Sequence, residues 1–113
     1  MEARLKAEIW VKAHIRTCNF MNVPAFVVRR GDETAGSVLI KINRLNDKCM
    51  VLSPVTNFET GKRQWMQSTG ADWVSEETAD AYIEKQLKFD PDLWVLEIED
   101  QEGRHFLQED VVA

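Results

Sequence analysis

Residues 25 to 55 constrain the fold of this chain more than any other stretch. "AFVVRR", "SVLIKINRL" and "CMVLSPV" are rich in β-branched residues, which marks them as strands. Strand alternation sends successive side chains to opposite faces, and here neither face is polar. With residues 30 and 37 paired, Ala25, Val27, Val38, Ile40 and Ile42 share one face, joined by Val51 and Val55. The other face carries Phe26, Val28, Leu39, Met50 and Leu52, mixed with Arg30 and Lys41. A sheet this apolar on both sides does not lie open to water. Two covers satisfy it: a helix on each side, or helices on one side and a second copy of the chain on the other.

The connections are short. Gly31 and Gly36 in "GDETAG" give the backbone freedom that a loop closing a hairpin needs. Asn46-Asp47 signals a second turn. The loop "TNFETGK" leads to a fourth strand, "RQWMQS". On this reading Arg29, Arg30, Asp32 and Glu33 lie at a hairpin tip, where charge discourages edge pairing. Arg30-Gly31-Asp32 is also a tripeptide that adhesion receptors read, and two glycines beside two arginines suggest an anion cradle. A cradle sits where a helix begins, whereas a strand follows this loop.

Helices flank the strands. In "LKAEIWVKAHIR" the apolar residues alternate as in a strand, but Ala, Leu, Lys and Glu favour helix. Glu8 and Lys12 form an i,i+4 pair in the favourable order. The balance predicts a helix over about 7–21, with a short strand before it as an option, ended by Asn22-Val23-Pro24. Ser75 is an N-cap with Glu76 and Glu77 in the first turn, and Asp90-Pro91-Asp92 stops that second helix. "LWVLEIED" and "GRHFL" read as closing strands. The expected fold is therefore α+β: an N-terminal helix, a four-stranded antiparallel meander, a second helix and one or two C-terminal strands. A chain of 113 residues reads as one domain, 1–113.

Composition narrows the classes. No run approaches the ~20 apolar residues of a membrane span, and the charged start "MEARLKAEIWVKAHIR" is no signal peptide. Two cysteines are too few for a disulfide scaffold. These features predict a reduced, cytoplasmic protein, where no extracellular receptor meets the Arg-Gly-Asp tripeptide. Residues 1–74 carry 11 Lys/Arg against 7 Asp/Glu, and residues 75–113 carry 3 against 12. Either two oppositely charged surfaces result, or the two parts pack together and neutralise each other; the second is the expectation.

Several constellations could carry chemistry. His14 and Cys18 share one side of a helix, and Cys49 with His105 would complete a zinc set. No close Cys-x-x-Cys pair anchors it, so buried thiols are the plainer reading. The same His14–Cys18 pair could be a base and a nucleophile, but no orienting third group is identifiable. Glu97 and Glu99 could act as paired carboxylates, yet they alternate with Leu96 and Ile98 and read as the solvated face of a strand. Arg16, Arg29, Arg30, Lys41, Arg44, Lys48, Lys62 and Arg63, with Phe26, Phe58 and Trp65 for stacking, could bind a single-stranded nucleic acid. The net charge of −5 and pI of about 5.0 are unlike those of typical nucleic-acid binders.

The combination of "VVRRGDETAGSVLIKINRL", "RQW" and "ADAYIEKQLKFDPDLWVLEIEDQEGRHFL" resembles the short bacterial proteins of domain-of-unknown-function family 1491, found mainly in alphaproteobacteria. The resemblance covers nearly the whole chain. It implies a stand-alone cytoplasmic protein of about this length and brings no activity, cofactor or catalytic residue with it. Arg29, Arg30, Gly31, Asp32, Gly36, Asp90, Asp92, Trp94, Glu97, Glu99 and His105 fall in its recognisable motifs.

The sequence thus points to a small non-catalytic interaction module, in the form of a homodimer or bound to another protein. Its partner surface is expected at Phe26, Arg29, Arg30, Leu39, Lys41, Trp94 and His105. No catalytic residue, metal, cofactor or membrane contact is assigned. Nucleic-acid or nucleotide binding through the basic strands is the alternative, and a small enzyme or zinc protein built on His14 and Cys18 is the next.

Overall fold

In a computed structural model, which describes residues 5–113, two helices pack on a six-stranded mixed sheet. The elements are α1 (Ala7–Phe20), β1 (Ala25–Arg29), β2 (Val38–Asn43), β3 (Cys49–Thr56), β4 (Arg63–Gln67), α2 (Glu76–Phe89), β5 (Trp94–Glu99) and β6 (Val111–Val112). The sheet order is β1-β5-β2-β3-β4-β6. Only β2-β3-β4 is an antiparallel meander. β5 runs parallel to β2 and antiparallel to β1, and so separates the two strands expected to form the first hairpin. The crossover from β4 to β5 passes two strands, a span that a helix such as α2 makes.

The β2–β3 register also differs from expectation. Ile40 faces Leu52 and Lys41 faces Val51, so Val51 lies on the face opposite Ile40. The loop between these strands is the five residues 44–48, with Leu45 and Asp47 at φ 67° and 60°. Changing a connection by an odd number of residues transfers a whole strand to the other face.

Each face has its own helix. Val11 and Cys18 of α1 pack with Ile40, Ile42, Met50, Leu52, Trp94, Leu96 and Ile98. Ala79 and Ile83 of α2 pack with Leu39, Val51, Leu93 and Val95. Of the two covers open to the sequence, the chain adopts a helix on each side.

The helix boundaries follow local chemistry. Ser75 Oγ accepts the Thr78 N–H at 3.1 Å, the expected N-cap. The N-cap of α1, Lys6, gives no side-chain cap; instead the carbonyls of Thr34 and Glu33 accept the N–H groups of Ala7 and Glu8. The optional strand before α1 is absent at residues 5–6, and residues 1–4 lie outside the described part. "GRHFL" is not a strand. It turns, with Phe106 at φ 58°, and the final strand is Val111–Val112 alongside β4.

Candidate functional site

Residues 30–37 are no hairpin tip. They cross the start of β5 to reach β2, and they meet the "DPDLW" stretch there. Asp32 N–H donates to the Asp92 carbonyl at 3.0 Å, and Trp94 N–H to the Ser37 carbonyl at 2.8 Å. The Trp94 indole N–H donates to the Asp32 carbonyl at 2.7 Å. Asp32 Oδ2 accepts the N–H groups of Thr34 and Ala35, an Asx turn that holds the loop's shape. A Cβ on Gly36 would stand 2.5 Å from the Asp92 carbonyl oxygen, and one on Gly31 would collide with the same atom. Arg30 lies 5.1 Å over the Trp94 ring and reaches Glu8 at 2.7 Å, while Arg29 donates to the Pro91 carbonyl at 3.1 Å. The two stretches that most clearly carry the family resemblance are therefore one knot, which also caps α1.

Beside this knot β1 forms one edge of the sheet. Phe26, Val27 and Val28 are 42%, 40% and 54% exposed. Three consecutive apolar residues on an open strand edge form a surface prone to pairing with another chain. Pro24 precedes them and the register slips between Val27 and Arg29; both features limit unwanted pairing.

Of the other expected partner residues, Arg29 ends that strand, whereas Leu39, Lys41 and Trp94 are buried. Leu39 and Lys41 are 4% and 5% exposed, beneath α2, so the open face imagined around them does not exist in the folded chain. Lys41 sits opposite Glu97 in the β2–β5 register. Its ammonium lies 2.8 Å from Glu76, 2.7 Å from Asp80 and 3.5 Å from Glu97. Asn43 Nδ2 bonds Glu97 and Glu76. Burial pushes the Lys41 pKa down, but the hydrogen bonds to Asp80 and Glu76 and the charge of Glu97 outweigh it and hold the group above the ordinary lysine range. An amine held protonated in this way is no nucleophile. Glu97, read from sequence as solvated, is buried at 7% exposure. The cluster also joins the basic first part of the chain to the acidic second part, as the charge distribution predicted.

His14 and His105 do meet. His14 Nε2–H donates to the His105 carbonyl at 2.8 Å, and His105 Nδ1 accepts the Leu107 N–H at 2.9 Å. Burial pushes both imidazole pKa values down. The four-residue zinc set does not converge, because Cys18 packs in the α1-side core and Cys49 in the α2-side core. Burial raises both thiols to about 11, the reverse of an activated nucleophile. Among the described residues no group of three or more His, Cys, Asp or Glu is arranged to hold a metal ion.

The basic set is partly engaged inside the protein. Lys41 is buried, Arg30 lies on Trp94, and Arg44 lies 5.0 Å over Trp73. No helix among the described residues is long and apolar enough to cross a membrane.

Residues 5–108 match the family described as protein of unknown function, DUF1491. The chain belongs to the DUF1491 family. The crystal structure of a DUF1491 family protein from Caulobacter crescentus superposes with a TM-score of 0.85 at 42% identity, over 96% of this chain and 99% of that one. The NMR structure of a DUF1491 family protein from the same organism gives 0.82 at 41% identity, over 97% and 98%. The solution structure of a protein from A. tumefaciens gives 0.77 at 27% identity, over 95% of each chain. No curated protein matches. The function of this DUF1491 chain thus has to be read from its own surfaces.

Proposed function

We propose that this DUF1491 protein is a non-catalytic interaction module whose docking surface is the β1 edge. The observation that carries the reading is the exposed run Phe26-Val27-Val28 on an open strand, in a sheet whose two faces are covered by the chain's own helices. Main-chain pairing with an added strand supplies affinity, and alternate side chains supply selectivity. The occupant that fits is an extended protein segment, apolar along Ala25–Val28 and acidic where it passes Arg29. Homodimerisation through an uncovered sheet face loses its support, because α2 occupies the face around Leu39 and Lys41. Pairing of two β1 edges remains the homotypic form of the same reading.

A photo-crosslinking residue at Val28, with one at exposed Lys85 on α2 as control, tests this in the native host. The reading expects a discrete adduct from position 28 alone. It also expects Val27→Lys, which puts a charge on the edge, to abolish that adduct and leave the urea midpoint unchanged. An adduct with a second copy of the chain would make the module homotypic. Equal labelling from both positions, or an adduct indifferent to Val27→Lys, would sink it.

A further inference from the structure

On the α1 side of the sheet, near the strand edge opposite β1, lies a cleft of about 400 Å³. That is within the range of small-molecule sites. Its walls are the start of α1 (Lys6, Trp10), the loop ahead of β2, and Pro54, Arg63 and Trp65 of β3 and β4, with Glu109 at the rim. The Trp10 and Trp65 rings stand 5.6 Å apart at an angle of 33°. Both indoles are held in place by neighbouring side chains. Trp10 stacks on His14 at 5.0 Å, whose Nε2–H is tied to the His105 carbonyl, and Trp65 Nε1–H donates to Glu109 at 3.1 Å. Side chains held this way form a preorganised aromatic wall.

We infer that this cleft binds a small planar anion, an aromatic carboxylate, with its ring against Trp10 and Trp65 and its carboxylate on Arg63. Aromatic walls accept either a planar ring or a quaternary ammonium, and charge decides between them. Lys6 and Arg63 bring two positive charges to the lining, against the single carboxylate of Glu109. That carboxylate already accepts the Trp65 N–H. A cation would meet net repulsion, and an anion meets net attraction. The Arg63 side chain is exposed and makes no ion pair with another described residue. Its planar fork suits a carboxylate held through two hydrogen bonds. The cleft lies across the sheet from β1, so it stands or falls independently of partner docking.

Proton–nitrogen correlation spectra of the full chain, titrated with cinnamate, cinnamyl alcohol and phenyltrimethylammonium, test the inference. Cinnamate is expected to shift the indole N–H signals of Trp10 and Trp65 and leave those of Trp73 and Trp94 in place. Arg63→Gln, at an exposed position, is expected to weaken cinnamate about tenfold with the apo spectrum retained. Tighter binding of phenyltrimethylammonium would overturn the charge assignment. Equal binding of the alcohol, or a cinnamate affinity untouched by Arg63→Gln, would remove Arg63 from the site. No shift at Trp10 or Trp65 at millimolar ligand would refute the site itself.

Discussion

Lys41 and Lys12 each hold a carboxylate within 2.8 Å, yet their surroundings give the two pairs unequal weight. Lys12 is exposed, and an exposed i,i+4 pair contributes little. The Lys41 ammonium is buried, and so is Glu97 beside it. Removing one member of such a set strands the other in a poor solvent. Lys41→Met should therefore cost about 3 kcal/mol, read as a fall in the urea midpoint, while Lys12→Met should leave the midpoint nearly unchanged. Glu97→Gln should cost less than Lys41→Met, because the amide still meets Asn43 and the ammonium keeps Glu76 and Asp80. None of this was legible in "VLEIED", where Glu97 alternates with apolar residues as a solvated side chain would. Its burial depends on the strand beside it, and that neighbour is fixed by topology. The i,i+4 pair of Glu8 and Lys12 was legible because both partners lie within one turn.

At the scale of elements, most local signals proved reliable, "GRHFL" excepted, and long-range pairing did not. The Ser75 cap, the Asp90-Pro91 stop and the β3–β4 hairpin are set by residues a few positions apart, and all are present. The strand β5 lies more than fifty residues beyond β2 in the chain, and nothing in 25–42 announces that it will slide between β1 and β2. The two glycines of "GDETAG" suggest a hairpin turn, but the physical need is close approach: Gly31 and Gly36 let the loop press on the Asp92 backbone. Gly61 makes a useful contrast, with φ at +73° and open space around its Cβ position. Gly61→Ala should cost only the left-handed backbone penalty, ~1 kcal/mol. Gly36→Ala forces a Cβ against two backbone oxygens and should cost about 3 kcal/mol. Hydrogen exchange should locate that loss, with faster exchange at the Trp94 indole and at the Ala7 and Glu8 amides that the loop caps. A uniform change across the sheet would instead mean that the loop is not a separate clamp.

For the whole molecule, groups whose pKa is displaced on folding set the two ends of one stability plateau. The Lys41 pKa is raised on folding, so its contribution is complete below the unfolded value near 10.5 and is lost as pH climbs through the folded value. His14 and His105 are displaced the other way. Burial lowers both from 6.5, so near that pH the unfolded chain binds protons that the folded chain refuses. Their contribution is complete above about 6.5 and is lost as pH falls towards the depressed folded values. Protonating His14 would also place a charge beside His105 in the packing between α1 and the 104–107 turn, which adds to the loss. The urea midpoint should therefore hold steady between about pH 7 and pH 8.5 and decline on either side. On the alkaline side the decline comes first through Cys18 and Cys49, whose thiols burial lifts from 9.0 to about 11 on folding. His14→Gln separates the two limbs. Glutamine keeps a donor for the His105 carbonyl but does not titrate, so the variant should be somewhat less stable at neutral pH and lose less between pH 7 and pH 5. An acid limb as steep in His14→Gln as in the parent would assign that limb to other groups. His105, whose imidazole pKa burial also lowers, is then the next group to replace.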